Sequence, residues 1–551
     1  MEAIQTDPDA LFNRGNQLDD EGRYDEAIEA YRQSASISGE RGRVPQDVLL
    51  NLGFSLRSAG RCLEASETWR EALNQELVSH GGQGADSHVL RQRAVLLASG
   101  RVDFAASEKM AKALRMLNAF GLGSVLPEGA TGNELHRLRF EEWSSMADGS
   151  VSFARVLAGL LCVGEAWPKA AVDALGNSVG ALIEVGLLEE VLPGFLVANM
   201  QVYPFQGFLL LTDWPSVTVG PAEPVMAIGT DSLELCLALG KFDGLAGQRV
   251  LDLCCGSGVA ALHALRCGAT EAVAVDLSQR ACDVTKANAI INGFDSKIIT
   301  YQGDLYSALV TAGKTARDFD LIVANPPFVA APEDAKTSLY VHGGPDGLAI
   351  TRQIFQAQFE ERGSIVVIGE FPNLSHHLPP WLSNSPGWQY VAFFAEEHRQ
   401  KAEVYATERA QPPQAKDVWW QSLVQVGVKD VTSALVVASF DSTRCSEASW
   451  ETFVWPAQDA DQSWTLVLDF WEETCSFWGT KVPLDTPLLP VLQLQWWERP
   501  FFPTSIMSMT SQNIYRSESV NQVTSTHYSH HFSYLKTSLD YQREVQSWWQ
   551  I

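Results

Sequence analysis

Four residues, Asn325-Pro326-Pro327-Phe328, form the stretch whose types and spacing specify a reaction most narrowly. Consecutive prolines remove two backbone donors and stiffen the turn. What such a turn still presents is acceptors: the side-chain oxygen of Asn325 and the carbonyl of Pro326. Two acceptors side by side match a planar NH2 group, whose two protons both need partners. A nitrogen held in this way turns its lone pair toward an electrophile. Phe328 adds a flat face on which an amide or a nucleobase can stack. The chemistry is positioning and electrostatics rather than proton abstraction. Because Asn-Pro-Pro most often serves as a plain turn, its meaning depends on what precedes it.

Three upstream features give that context. The run Val250-Leu251-Asp252-Leu253-Cys254-Cys255-Gly256-Ser257-Gly258 places a glycine turn between an apolar strand and a helical segment, Val259 to Arg266. Gly256 and Gly258 let the backbone approach a cofactor with no Cβ in the way. Alone, the loop suits a dinucleotide phosphate at a helix N-terminus or the amino-acid part of S-adenosylmethionine equally well. Asp276 closes the next apolar run and can accept protons from ribose hydroxyls, which both cofactors carry. Asp304 follows the alternating segment Ile298–Tyr301. In S-adenosylmethionine enzymes an acidic side chain at such a place accepts from the adenine amino group.

These motifs need rigid supports. Arg249–Leu253, Ala272–Asp276, Leu321–Asn325 and Ser364–Ile368 read as buried strands with helices between them. That pattern predicts an α/β fold, a Rossmann-like doubly wound parallel sheet, over residues 225–440. Residues 1–114 predict an all-α repeat module. Leu11, Gly15, Leu18, Gly22, Tyr24, Ala27 and Tyr31 recur as Leu49, Gly53, Leu56, Gly60, Cys62, Ala65 and Trp69. Gly22 and Gly60 fall at the turns, and the pairs Gly15–Ala27 and Gly53–Ala65 allow close helix approach. The copies resemble tetratricopeptide repeats. A third copy around Leu96–Leu114, with Gly100 and Ala105 in place, is degenerate and reads as a capping repeat or an ordinary helix. Over residues 115–224, helical spacing from Leu157 to Ile183 gives way to an alternating, aromatic-rich stretch, Phe195 to Leu211. This predicts a small winged-helix-like substrate subdomain. Residues 441–551 hold nine of the 17 tryptophans. The alternation Trp464–Leu468 there, followed by the polar run Thr504–Tyr534, suggests a β-containing accessory or oligomerisation region.

Taken in order, these motifs resemble a class I S-adenosylmethionine-dependent methyltransferase of the "small domain" type. That group includes the HemK-like glutamine methyltransferases of release factors and the guanine-N2 methyltransferases of ribosomal RNA. The likeness rests on the loop 252–258, Asp276, Asp304, the tetrapeptide 325–328, Gly343-Gly344-Pro345-Asp346-Gly347-Leu348, and Ile228-Gly229-Thr230-Asp231-Ser232-Leu233 upstream. It implies that Thr230, Asp252, Gly256, Gly258, Asp276 and Asp304 bind S-adenosyl-L-methionine. It also implies that Asn325, at the junction with the cofactor, holds the target nitrogen together with Pro326 and Phe328. Cys254 stands where the family has its first glycine. Phe328 replaces the tyrosine usual in glutamine methyltransferases and is commoner in the ribosomal RNA group.

The remaining composition narrows the acceptor. Net charge is -26, which repels polyanions and disfavours a nucleic-acid partner. Stacked repeats present a concave face that suits a protein or peptide substrate. The expected acceptor is therefore an amide or amine of a protein. A base amine of RNA or DNA, a small metabolite, and a non-catalytic scaffold are the other readings. Met1–Ala10 lacks the pattern of a secretory signal, and no apolar run is long enough to span a membrane. No cysteine pair has metal-ligand spacing, so no metal is expected and the thiols fit a cytoplasmic setting. Cys254, Cys255 and His263 read as packing residues, and His530-His531 as solvated. His342 is the one histidine with a claim on the active site.

Overall fold

The computed structural model describes residues 7–42, 44–79, 94–118, 126, 130–137, 153–173, 176–214, 224–240, 245–335, 340–375, 377, 379–382, 386–410, 415–443 and 448–455. The expected strand at Trp464–Leu468, the polar run Thr504–Tyr534 and His530-His531 lie outside the described residues.

Two antiparallel helix pairs open the chain: Pro8–Asp20 with Tyr24–Glu40, and Gln46–Ser58 with Cys62–Ser79. Gly22 and Gly60 take φ of 69° and 78° at the two turns, a region that favours glycine. The nearest neighbours of Gly15 and Gly53 are aromatic: Gly15 lies under the ring of Tyr31 and Gly53 under the ring of Trp69. A Cβ at either glycine would run into the ring. Of the two readings of the third copy, the described residues show the ordinary helix. The copy's residues make short 3-10 turns at Ala94–Leu97 and Phe104–Ala106, then one amphipathic helix, Ser107–Asn118. That helix buries Met110, Ala111, Leu114 and Leu117, and packs on the helices Asn177–Glu184 and Gln279–Asn292 instead of stacking on the second repeat. It therefore runs across the expected boundary at residue 114.

The helix-then-ribbon order is present. The helix Phe153–Ala158 and the π turn Gly159–Val163 lead into β1 (Trp167–Pro168). The helices Lys169–Asp173 and Asn177–Glu184, then β2 (Leu188–Leu192) and β3 (Phe195–Ala198), complete an antiparallel sheet of order β1-β3-β2. This is the helix and strand sequence of a winged helix. A hairpin of β4 (Gln201–Phe205) and β5 (Phe208–Thr212) follows. Gln206 and Gly207 at its tip both have positive φ, 44° and 86°, as a tight two-residue hairpin turn requires.

The main sheet contains β6 (Arg249–Leu253), β7 (Glu271–Asp276), β8 (Ile298–Gln302), β9 (Leu321–Ala324), β10 (Arg362–Pro372), β11 (Trp388–Ala395), β12 (Gln400–Lys401), β13 (Asp430–Asp441) and β14 (Ser449–Trp455). Its order is β14-β11-β13-β10-β9-β6-β7-β8, with the short β12 paired to β13. Strands β6 to β10 are mutually parallel, and β13 is antiparallel to both β10 and β11. The sheet does not end at residue 440. Ser449–Trp455, expected in the tryptophan-rich region, adds a strand parallel to β11. Its alternating polar and aromatic residues fit an edge strand, which is why composition alone assigned it elsewhere.

One hydrophobic core runs from Ile28 and Trp69 in the repeats, through Leu182 and Leu196, to Val250, Val323 and Val437 on one face of the sheet. A second core covers the opposite face, around Leu253, Ile322, Val367 and Tyr390. A small third core joins Val329, Tyr405 and Trp419. Among the described residues, no helix is long and apolar enough to cross a membrane.

The repeat packing makes a measurable claim. Gly53→Ala forces Trp69 out of its place, a misfit costing about 1–3 kcal/mol. Thermal unfolding is expected to show a lowered Tm, and an unchanged Tm rules out the close approach described above.

Candidate active site

In a doubly wound sheet the crossovers from the two central strands leave in opposite directions, opening a crevice at their carboxyl ends. Here β6 leads to β7 on one side, while β9 leads to β10 on the other. The crevice is a cavity of about 440 Å³. Residues from the loops after β6, β7, β8 and β9 and from the helix Thr230–Gly240 line it.

The loop after β6 is built on left-handed backbone. Cys254, Gly256 and Gly258 have φ of 58°, 53° and 76°. Cys254 is thus a side-chain residue held in a conformation that glycine adopts without strain. A Cβ on Gly256 would meet open space, so only its φ demands glycine. Gly258 differs. It caps the helix Val259–Arg266 and lies outside the cavity lining, and a Cβ there would stand 2.5 Å from the Thr285 methyl. Its role is packing. Asp276 holds the loop from the next strand: Gly256 N–H donates to its Oδ2 and Ser278 N–H to its Oδ1, each at 2.9 Å. From below, Thr285 Oγ1 donates to the Gly256 carbonyl at 3.1 Å, and Asn288 Nδ2 to that of Ser257 at 2.9 Å.

Burial sets the protonation here. It pushes the Asp252 carboxyl up to about 7, against the pull of the Ala261 N–H that donates to it. It also raises Asp276, although three backbone donors oppose it. The thiols of Cys254 and Cys255 are driven well above their ordinary range, so both stay protonated and poor nucleophiles. Asp304 is exposed at the far end of the lining, after β8.

At the opposite end stands Asn325, directly after β9. Its Nδ2 donates to Asp231 Oδ2 at 2.8 Å and to Ser232 Oγ at 3.3 Å. Both amide protons are thus engaged, which fixes which way the amide points. Thr230 is exposed and does not line the cavity, whereas its neighbours Asp231 and Ser232 do. The first turn of a helix presents only some of its residues to a given side. Pro326 is buried, and Phe328 is half-buried against Gly369. The run 343–347 braces the tetrapeptide: a Cβ on Gly343 would come within 2.7 Å of the Phe328 carbonyl carbon, and a Cβ on Gly347 would come closer still to that carbonyl's oxygen. Gly343 N–H also donates to the Val329 carbonyl at 2.9 Å. His342 lines the cavity, yet its Nδ1 accepts from Gly344 N–H and its Nε2 lies 3.0 Å from the Pro332 carbonyl. Both nitrogens hold the loop, leaving neither as a free base.

Several residues of the site carry no mark in the sequence. Asp231 and Ser232 lie more than ninety positions before Asn325. Only their place in the Ile228–Leu233 motif points to them. Glu408, Arg409 and Trp419 line the acceptor end from an insert between β11 and β13, and nothing in their spacing singles them out.

Residues 222–361 match the family model of the ribosomal protein L11 methyltransferases (PrmA), and residues 8–40 match the tetratricopeptide repeat. A ribosomal protein uL3 glutamine methyltransferase of Bordetella pertussis is 36% identical over 124 residues, covering 21% of this chain and 40% of that protein. A ribosomal protein L11 methyltransferase of Shewanella pealeana is 32% identical over 143 residues, covering 25% of this chain and 46% of that protein. The chain thus spans under half the length of these relatives. A solved structure of a SAM-dependent methyltransferase from Streptococcus mutans is 14% identical, covers 49% of this chain and 64% of its own, and gives a TM-score of 0.28.

The raised carboxyl of Asp252 predicts a pH dependence. Unfolded, it ionises near the usual pH of about 4, whereas folded it keeps its proton to about 7. Its contribution to stability is fully present at low pH and is lost as pH rises to about 7. Asp252→Asn removes that dependence. In urea unfolding, wild-type stability relative to the variant is expected to fall between about pH 4 and 7 and then level off. A difference that stays constant over this range overturns the assignment.

Proposed function

From an α/β part that is a class I S-adenosylmethionine-dependent methyltransferase domain, we propose that the protein transfers a methyl group to a planar amide nitrogen of a protein, with a glutamine side chain the first candidate. The observation that carries this reading is the bond from Asn325 Nδ2 to Asp231 at 2.8 Å. With its protons spent on Asp231 and Ser232, the Asn325 side chain offers its oxygen to an acceptor. Beside it, the Pro326 carbonyl supplies the second oxygen for an NH2 group.

The residues present fit the cofactor. The left-handed glycine turn leaves open space above Gly256. The Asp276 carboxylate is held in place by backbone donors at the strand end. S-adenosyl-L-methionine supplies, when bound, a methyl group on a positively charged sulfur. Asp276 receives the ribose hydroxyls and Asp304 faces the adenine end. The loop 254–257 takes the amino-acid part. Asn325 and Pro326 hold both protons of the acceptor nitrogen, so its lone pair points at the methyl carbon. Phe328, fixed by Gly343, Gly347 and Gly369, gives the acceptor plane a surface to rest on. Neither the half-buried Cys254, the buried Cys255 nor the engaged His342 acts as a base. None is required, because the nitrogen sheds its proton after the new bond has formed.

A protein acceptor is supported by three facts. The relatives named above act on the ribosomal proteins uL3 and L11, the chain carries a repeat module of the protein-docking kind, and its net charge of -26 attracts basic proteins and repels RNA.

Incubation with labelled cofactor and separated ribosomal protein and RNA fractions tests the reading. Label is expected in protein, and label confined to RNA rejects it. Asn325→Ala is expected to bind cofactor as the wild type does and to lose about 10²–10³-fold in turnover, the usual effect of removing one preorganised partner. Asp231→Ala frees the Asn325 amide to flip, which is expected to cost about tenfold in kcat. Wild-type kcat in either variant sinks the assigned roles.

A further inference from the structure

The two helices between β11 and β13 have no part in building the sheet, because those strands pair with each other directly and only the short β12 of the intervening segment joins them. These helices, Ala402–Arg409 and Lys416–Gln425, pack together and bring Glu408, Arg409 and Trp419 to the acceptor end of the cavity. There they meet Asn325–Val329 and Tyr340–His342. Among the lining residues, Arg409 is the one side chain with a permanent positive charge.

Arg409 is not a loose surface arginine. Its Nη2 donates to Glu370 Oε1, and its guanidinium lies 5.8 Å from the centre of the Tyr405 ring. Glu370, on β10, is 7% exposed and Tyr405 is 1% exposed. The Tyr405 hydroxyl donates to Glu370 Oε2 at 2.6 Å and accepts from Ala330 N–H at 3.1 Å. One buried carboxylate therefore orients the arginine and, through Tyr405, the loop that carries the tetrapeptide. The Arg409 side chain remains 44% exposed. Among the described residues its Nε and Nη1 make no hydrogen bond, so part of its donor fork is available to a ligand.

We propose that Arg409 is a specificity-determining residue that binds a carboxylate on the acceptor peptide, close to the amide being methylated. The inference rests on the amide reading above. A guanidinium already oriented by a buried partner loses little freedom on pairing and favours planar, two-oxygen groups. The target amide's own oxygen is the wrong partner, since a donor there draws the nitrogen lone pair into the carbonyl and weakens the nucleophile. A phosphate is disfavoured too. Asp231, Asp252, Asp276, Asp304 and Glu408 also line the cavity, and Glu370 already offsets the charge of Arg409. A single negative charge is what this surround tolerates.

The test uses the full-length protein and short glutamine peptides with blocked ends, identical except for Glu or Ala on either side of the glutamine. Transfer of labelled methyl gives kcat and KM for the wild type, Arg409→Gln and Arg409→Lys, with cofactor affinity measured to confirm an intact site. In the wild type one Glu peptide is expected to have a KM about tenfold below its Ala counterpart, the worth of one charge-assisted pair. Arg409→Gln is expected to abolish that preference and Arg409→Lys to retain part of it. Tyr405→Phe, which cuts the link to Glu370, is expected to lower kcat while keeping the Glu preference. Equal KM values for the wild type, or a preference that survives Arg409→Gln, overturn the proposal about Arg409 and leave the amide reading standing. If no glutamine peptide is methylated, both fall together.

Discussion

The helix Gln279–Asn292 is the member on which both halves of the molecule lean, and its asparagines show how. Asn288 accepts from Leu211 N–H at 2.7 Å and donates to the Leu211 carbonyl at 3.1 Å and the Ser257 carbonyl at 2.9 Å. One turn on, Asn292 does the same for both backbone groups of Leu209. Two side-chain amides thus satisfy the free edge of β5 as a neighbouring strand would. One of them also steadies the cofactor loop. At the helix start, Arg280 pairs with buried Asp213 at 2.8 Å and donates to the Gly100 carbonyl at 3.0 Å, while Asp213 accepts from Val225 N–H. Each bond contributes only about 0.5–1.5 kcal/mol, but leaving a buried group unpaired costs about 1–3 kcal/mol. The N-terminal part is therefore keyed to the cofactor end by groups that tolerate no other register.

The site divides its labour along the carboxyl edge of the sheet. One end is shaped by backbone: left-handed loop residues, strand-end carboxylates and buried thiols that stay inert. The other is shaped by acceptors and aromatic surface, with three glycines pressed against Phe328. Between them, Asp231 and Ser232 decide the orientation of Asn325. The polarity of that amide is a tertiary property, set by a helix that precedes β6 in the chain.

How much of this could be read from sequence follows from the range of each interaction. The parallel strands were legible because continuous apolar runs bounded by glycine or aspartate have few other uses. The glycine loop, Asp276 and the tetrapeptide were legible because local backbone demands fix their residue types. The third copy stays ambiguous between capping repeat and ordinary helix in the sequence because a helix with apolar residues at the right spacing packs on whatever apolar surface it meets, and Ser107–Asn118 meets other helices. Thr230 and Asp231 are adjacent, and only helix phase separates the exposed one from the one in the site. Gly258 carries the motif's residue type for a packing reason, the Thr285 methyl. Glu370, Tyr405 and Arg409 come from two elements joined only in the folded state, so their network has no local signature.

The direct pairing of β11 with β13 has an architectural corollary. From Trp388 opposite Phe440 to Phe394 opposite Ala434, the two strands form a continuous ladder. The points where the helical part of the intervening segment leaves and re-enters the sheet are therefore fixed by this ladder together with the short pairing of β12 on β13. Closing a longer or shorter excursion between fixed ends changes the entropy only logarithmically, about 0.6 kcal/mol per doubling. Outside Tyr405 and Arg409, which are bonded to Glu370 and the Ala330 backbone, the segment can change in length with little cost to strand register. The helices that reach the cavity from this side are thus structurally separable from the strands that carry its floor.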